Sequence, residues 1–96
     1  MQKKTNEILD ILQEECAELI QIISKCKRFG IDTIHLKANI PNRQRLVEEI
    51  GDVICMLELL EEHNFIDPEQ VKEAKLAKRE KLKVWSSIFK EIQDEN

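Results

Sequence analysis

The chain has 96 residues, of which 42% are hydrophobic and 35% are charged, which fits one small globular domain and excludes a disordered or membrane-spanning protein. No apolar run approaches the roughly 18 residues that cross a bilayer, and acids interrupt the N-terminal stretch where a signal peptide would be apolar. The formal net charge of −4 argues against binding of nucleic-acid polymers through their phosphates. An acidic protein that handles phosphates would need a cation to mediate.

Apolar residues at spacings of three and four predict an all-α chain. The first helix is expected over about residues 6–27, with Gly30 as its C-terminal stop. A loop should cover residues 29–42, and Asn42 is expected to cap the second helix. The periodic residues that define this second helix are Leu46, Val47, Ile50, Val53, Ile54, Leu57 and Leu60.

A third helix is predicted to begin with Asp67 as N-cap and Pro68 at the first helical position. It should run to about residue 93, with a break at residues 85–87 able to split it. Because 96 residues make only a small core, long amphipathic helices are expected to bury their remaining apolar faces against another copy. The predicted fold is therefore an antiparallel bundle of three to four helices, completed by oligomerisation.

Two pairs of acids lie at the edge of apolar helix faces. Glu15 and Glu18 are spaced i, i+3 in the first helix, and Glu49 and Asp52 repeat that spacing in the second. Side chains three residues apart share a helix face, with Cβ atoms about 5–6 Å apart. If the two helices pack antiparallel, four carboxylates converge, and such a cluster is unfavourable without a cation. Mg²⁺ and Mn²⁺ prefer oxygen ligands, so the pattern indicates a site for either ion.

Other interpretations of these residues stay open. Acid pairs of this spacing are also common on solvated helix faces with lysine partners. Gly51, a costly residue inside a helix, lies between Glu49 and Asp52, where another group would have room to approach closely. The three cysteines are an odd number without a CxxC motif, which is typical of reduced thiols in a cytosolic protein. A zinc site from Cys16, Cys26 and His35 is the weaker metal alternative.

The segments "EECAE" (residues 14–18) and "EIGD" (residues 49–52) resemble the EExxE…ExxD signature of the MazG-like all-α nucleoside triphosphate pyrophosphohydrolases. The flanking segments "KCKRFGID", "NRQRLVEEIGDVICMLELLEE" and "AKREKLKVWSSIF" are similar to the small single-domain members, many of them bacterial or phage-encoded. The resemblance covers the chain from about Leu12 to Phe89. It departs from the family in the 30 residues between the two motifs, slightly more than in many relatives.

The resemblance implies one MazG-like domain over residues 1–96 that cleaves nucleoside triphosphates between the α- and β-phosphates, releasing pyrophosphate. Glu15, Glu18, Glu49 and Asp52 would hold Mg²⁺, which Mn²⁺ can replace. Glu14 and Glu15 would be the catalytic residues, with Glu14 an auxiliary ligand or the group that orients water. The enzyme would be a cytoplasmic homodimer or homotetramer, in the host cytoplasm if a phage encodes it.

Phosphate-binding residues are expected in the basic third helix and at the end of the first. Lys75, Lys78 and Arg79 share a helix face, and Lys25 is a further candidate. A solvated basic stripe is the alternative. Two other functions remain as hypotheses: a non-catalytic helical interaction module, and a related pyrophosphohydrolase with another substrate such as phosphoribosyl-ATP.

Overall fold

The computed structural model describes residues 2–34, 36–37 and 39–91. These residues form three α-helices: α1 (Lys3–Phe29), α2 (Asn42–Glu62) and α3 (Pro68–Trp85). Within this described part, the β-type pairing consists of one isolated antiparallel bridge between Ile34 and Pro41. The predicted all-α class is thus confirmed. Across the same residues, no helix combines the length and apolarity that would cross a membrane.

The chain divides into two compact units, Met1–Phe65 and Ile66–Asn96. The first contains α1, the loop and α2, which pack as a helical hairpin. The two helices run antiparallel, because the residue after α1, Gly30, is bonded to Asn42 at the start of α2. At the other end, Thr5 and Phe65 line one cavity. The buried apolar side chains between the helices are Ile8, Ile22, Met56 and Leu60.

Helix α1 is longer than predicted at both ends, beginning at Lys3 and ending at Phe29. Gly30 ends it as expected. The Gly30 amide donates to the Cys26 carbonyl at 3.0 Å, and the backbone turns away at φ 109°, a conformation that side chains other than glycine rarely adopt. A Cβ atom at Gly30 would lie 2.9 Å from the Thr33 hydroxyl.

The prediction that Asn42 caps α2 is wrong. Pro41 precedes the helix and Asn42 is its first residue. The Asn42 side-chain nitrogen donates to the Gly30 carbonyl at 3.0 Å, and its backbone amide donates to the Thr33 carbonyl at 2.9 Å. Asn42 is 3% exposed, so it holds the loop to the end of α1 instead of capping α2. An exposed ion pair between Asp32 and Arg43, with Oδ1 and Nε 3.0 Å apart, spans the same loop.

In the second unit, α3 begins as predicted. The Asp67 carboxylate accepts a hydrogen bond from the Glu69 amide, and Pro68 is the first helical residue. The helix ends at Trp85, at the predicted break, because the Ser86 hydroxyl bonds the Leu82 carbonyl and the chain becomes extended. A continuous helix to residue 93 is therefore wrong for residues 86–91, and residue 93 itself lies outside the described residues. Trp85 is 83% exposed.

Candidate metal centre

Three carboxylates from the two hairpin helices meet at one place. Glu15 and Glu18 come from α1 and Glu49 comes from α2, and one oxygen of each lies within 4.8 Å of the others. The i, i+3 spacing brings the α1 pair to one face, and the antiparallel packing brings Glu49 to that face. Three of the four predicted ligands therefore converge.

The cluster contains negative charge that forms no ion pair with the described lysine and arginine side chains. Glu15 and Glu49 are half-buried and Glu18 is exposed. The Oε2 atoms of Glu15 and Glu49 are buried and have no hydrogen-bond partner among the described residues. A buried polar atom without a partner is unfavourable, and a buried carboxylate oxygen more so. A proton or a cation at the cluster would remove that cost.

The pKa values of Glu15 and Glu49 are both raised by the same burial and repulsion between like charges. Burial raises the pKa of Glu49 to about 7, and the charges of Glu18 and Glu15 add to the effect. Burial also raises the pKa of Glu15, together with a hydrogen bond to Asp52 and the charge of Glu18. A hydrogen bond to Glu49 acts on Glu15 in the opposite direction. Burial and the proximity of like charges thus raise the pKa of both Glu15 and Glu49.

The other two predicted acids lie differently. Asp52 is exposed and contacts Glu15, but it is outside the group of three whose oxygens converge. Glu14 is exposed and is also outside that group, so its catalytic role stays a prediction. A Cβ atom built at Gly51 meets no atom of the described residues within 4 Å. No described group of the chain itself therefore fills the space beside that glycine.

The predicted phosphate-binding residues fall in both units. Lys25 is half-buried on α1, seven residues after Glu18. Lys75, Lys78 and Arg79 are exposed on α3 in the second unit, where the Arg79 guanidinium lies over the Phe89 ring, 5.0 Å from its centroid. This cation–π contact stabilises the second unit, and the sequence did not predict it. Phosphate binding by all four residues stays a prediction.

The donor set fits a hard divalent cation. Carboxylate oxygens are the ligands that Mg²⁺ and Mn²⁺ prefer, and two oxygens of this cluster are buried without a partner. The zinc alternative stays an untested hypothesis, because His35 lies outside the described residues. Cys16 and Cys26 are both free cysteines in this structure, and the reduced state of the thiols stays a prediction.

Comparisons of the chain with protein-family models, with curated proteins and with solved structures found no match in any of the three. The similarity to MazG-like enzymes therefore stays an interpretation of the two acidic motifs and their flanking segments.

Proposed function

We propose that the chain is a Mg²⁺-dependent nucleoside triphosphate pyrophosphohydrolase of the MazG-like type. The observation that supports the proposal most is the convergence of the Glu15, Glu18 and Glu49 oxygens within 4.8 Å. The sequence motifs that contain these acids favour the same function. Cleavage between the α- and β-phosphates is assigned from the resemblance of these motifs to the MazG-like signature.

Electrostatics supports a cation at this cluster. The carboxylates of Glu15 and Glu49 are forced together by the packing of two helices, and burial already raises the pKa of both. A fold that keeps such a cluster gains from an ion that offsets the like charges. Glu15, Glu18 and Glu49 would bind the ion, with Asp52 as the fourth ligand at the exposed edge. Mn²⁺ offers similar chemistry and should substitute.

The chemistry proposed for the site divides between ion and protein. Bound Mg²⁺ would offset the charge of the triphosphate and activate a water for attack. The carboxylates of the cluster would hold the Mg²⁺ ion that contacts the anionic substrate. Glu14, exposed beside Glu15, would orient the attacking water. This arrangement lets a chain of net charge −4 bind an anionic substrate.

We also propose that the active form is a homodimer or homotetramer, in which the helices complete a bundle of three to four. Large apolar side chains remain uncovered on the hairpin helices: Ile20 is 68% exposed, Val47 63% and Ile54 49%. Exposed apolar side chains in this number are typical of an interface. Sedimentation measurements should therefore find a species of two or four chains, and a monomer at micromolar concentration would contradict the proposal.

The hydrolase is tested by product analysis. Purified protein with Mg²⁺ and each of the common ribo- and deoxyribonucleoside triphosphates should yield the monophosphate and pyrophosphate, identified by ³¹P NMR. Inorganic phosphate and a diphosphate as products would show that the bond assignment is wrong. Absence of turnover together with absence of a Mg²⁺-dependent thermal shift would favour a non-catalytic helical module instead.

Variants locate the activity at the cluster. Glu18→Gln and Glu49→Gln should each lower turnover by at least about 100-fold, because they remove a proposed ligand. Glu58→Gln is the matched control, since Glu58 is an exposed glutamate of α2 outside the converging group. Far-UV circular dichroism should be the same for all three variants. Equal activity of Glu49→Gln and Glu58→Gln would exclude the cluster as the active site.

A further inference from the structure

A second cavity lies in the first unit, at the end of the hairpin where the loop joins α1 to α2. Its volume is about 320 Å³, within the lower range of small-ligand sites. Apolar side chains form much of its wall: Phe29 is 61% exposed, Ile34 58% and Leu36 98%. The cavity thus offers two exposed aliphatic side chains and the Phe29 ring, over which the Arg28 guanidinium also lies, 5.0 Å from the ring centroid.

The polar lining of this cavity is sparse and specific. Lys25 and Lys37 supply positive charge, and Asn42 lies at the junction of loop and helix. The Asn42 side-chain nitrogen is committed to the Gly30 carbonyl, which fixes the orientation of the amide. Its Oδ1 atom is then left buried without a hydrogen-bond partner among the described residues. Asn42 therefore has an unused acceptor, which a donor N–H group would satisfy.

The start of α2 is not a free anion site. A helix N-terminus binds phosphate through unpaired backbone amides, but here the Asn42 amide donates to the Thr33 carbonyl and the Arg43 amide to the Ile31 carbonyl. These bonds remove the first donors of the helix from use. A phosphate group is therefore expected elsewhere than against this helix end, and the cavity itself suits an uncharged, flat group.

The cavity has a defined position relative to the acidic cluster. Lys25 follows Glu18 by seven residues on α1, and Asn42 precedes Glu49 by seven residues on α2. Seven residues are nearly two helical turns, so each pair shares a helix face at a spacing of about 10 Å. Because the helices are antiparallel, both steps lead in the same direction along the hairpin. The cavity therefore lies about two turns from the acids, on the same side.

We propose that this cavity binds the base of the nucleotide whose phosphates are held at the acidic cluster, an inference that rests on the proposed hydrolase function. The Phe29 ring would stack on the base through the face that Arg28 does not cover. Asn42 Oδ1 would accept an N–H of the base edge, and Lys25 would lie between base and phosphates. Oδ1 is covered in this structure, so the base would reach it after a side-chain rearrangement, which is common on binding. The ligand class is a planar nitrogen heterocycle with an N–H donor.

The binding test uses nucleoside monophosphates without Mg²⁺, which separates the cavity from catalysis. AMP, GMP, CMP and UMP are titrated into ¹⁵N-labelled protein. At least one should shift the Phe29 and Thr33 amides and the Asn42 side-chain amide, while ribose 5-phosphate, which lacks a base, should not. The proposed base site would be wrong if ribose 5-phosphate caused the same chemical-shift changes. It would also be wrong if the changes with a nucleotide were confined to the acidic cluster.

Two variants and one control give the energetic test. Phe29→Ala should lower the affinity for the monophosphate that the wild type binds by about tenfold or more, since it removes a stacking surface. Leu36→Asp should lower this affinity as well, because it places a carboxylate at the cavity. Phe65→Ala is the matched control, because Phe65 is 46% exposed and lines a cavity at the opposite end of the hairpin. Equal affinity of Phe29→Ala and Phe65→Ala for the monophosphate would contradict the inference.

Turnover separates this inference from the hydrolase proposal. If the wild type hydrolyses a triphosphate and Phe29→Ala keeps the same kcat/KM, the base site is wrong and the hydrolase stands. If no triphosphate is hydrolysed but a monophosphate still binds at the loop, the hydrolase is wrong and the cavity remains a nucleotide-base site. A fall in kcat/KM of about tenfold in Phe29→Ala, with Phe65→Ala unchanged, supports both.

Discussion

Replacing Glu49 by glutamine should stabilise the metal-free protein at pH 8 and change its stability little below pH 4.5. Burial and the neighbouring acids raise the pKa of Glu49 from 4.5 to about 7 in the folded chain. Between these values the folded state holds a proton that the unfolded state has released. The free energy of unfolding therefore falls as the pH rises through this window, and above pH 7 the full penalty is present. A glutamine side chain carries no charge at any pH and avoids that penalty.

The size of the effect follows from the two pKa values of Glu49. At about 1.4 kcal/mol for each pH unit, the difference between 4.5 and about 7 corresponds to at most about 3.5 kcal/mol. Glu49 is half-buried, so solvent screens part of the interaction. We expect a gain of about 1–2 kcal/mol for Glu49→Gln at pH 8.

Urea unfolding followed by far-UV circular dichroism, in EDTA at pH 4, 5, 6, 7 and 8, measures this directly. Glu58→Gln is the control, because Glu58 is an exposed glutamate on the same helix, and it should keep the pH slope of the wild type. If Glu49→Gln keeps that slope too, Glu49 is not the residue responsible and the reasoning fails. Added Mg²⁺ should stabilise the wild type more at pH 8 than at pH 5, since a cation competes with the proton.

Three further changes test the loop and the helices by the same urea assay. Gly30→Ala should destabilise the chain by about 1–3 kcal/mol, because φ is 109° and the new Cβ would lie 2.9 Å from the Thr33 hydroxyl; a neutral result would contradict that geometry. Gly51→Ala should stabilise it by about 0.5–1 kcal/mol, since no atom in the described part of the chain lies within 4 Å of the new Cβ atom; a loss of stability would show that another molecule packs there. A double-mutant cycle on the exposed Asp32–Arg43 pair should give a small coupling that salt reduces. Because Arg43 lowers the pKa of Asp32, that coupling should persist at pH 5 and vanish only in strong acid.

Much of the helical framework was predictable because its signals are local. Asp67 and Pro68 mark the start of α3 through the geometry of a single turn, and Gly30 marks the end of α1 for the same reason. The role of Asn42 was not predictable. Its side chain binds a carbonyl twelve residues earlier, and a local pattern of capping residues carries no information about where a loop brings that carbonyl.

The candidate site divides in the same way. The spacing of Glu15 and Glu18 within α1 indicates a shared face, and that spacing is a local property. Whether Glu49 or Asp52 faces them depends on the rotation of α2 and on its register against α1. The structure places Glu49 in the converging group and Asp52 at the exposed edge beside Glu15. The buried Oε2 atoms of Glu15 and Glu49 lack a hydrogen-bond partner because of that packing, so the sequence alone could not predict them.

The single tryptophan has a practical consequence for every unfolding measurement on this protein. Trp85 is the sole tryptophan of the chain, it belongs to the Ile66–Asn96 unit, and it is 83% exposed. Its emission thus follows the environment of that unit, whereas far-UV ellipticity follows the helices of both. Fluorescence and ellipticity transitions that coincide would mean that the two units unfold as one cooperative system, and separated transitions would mean that each has a stability of its own.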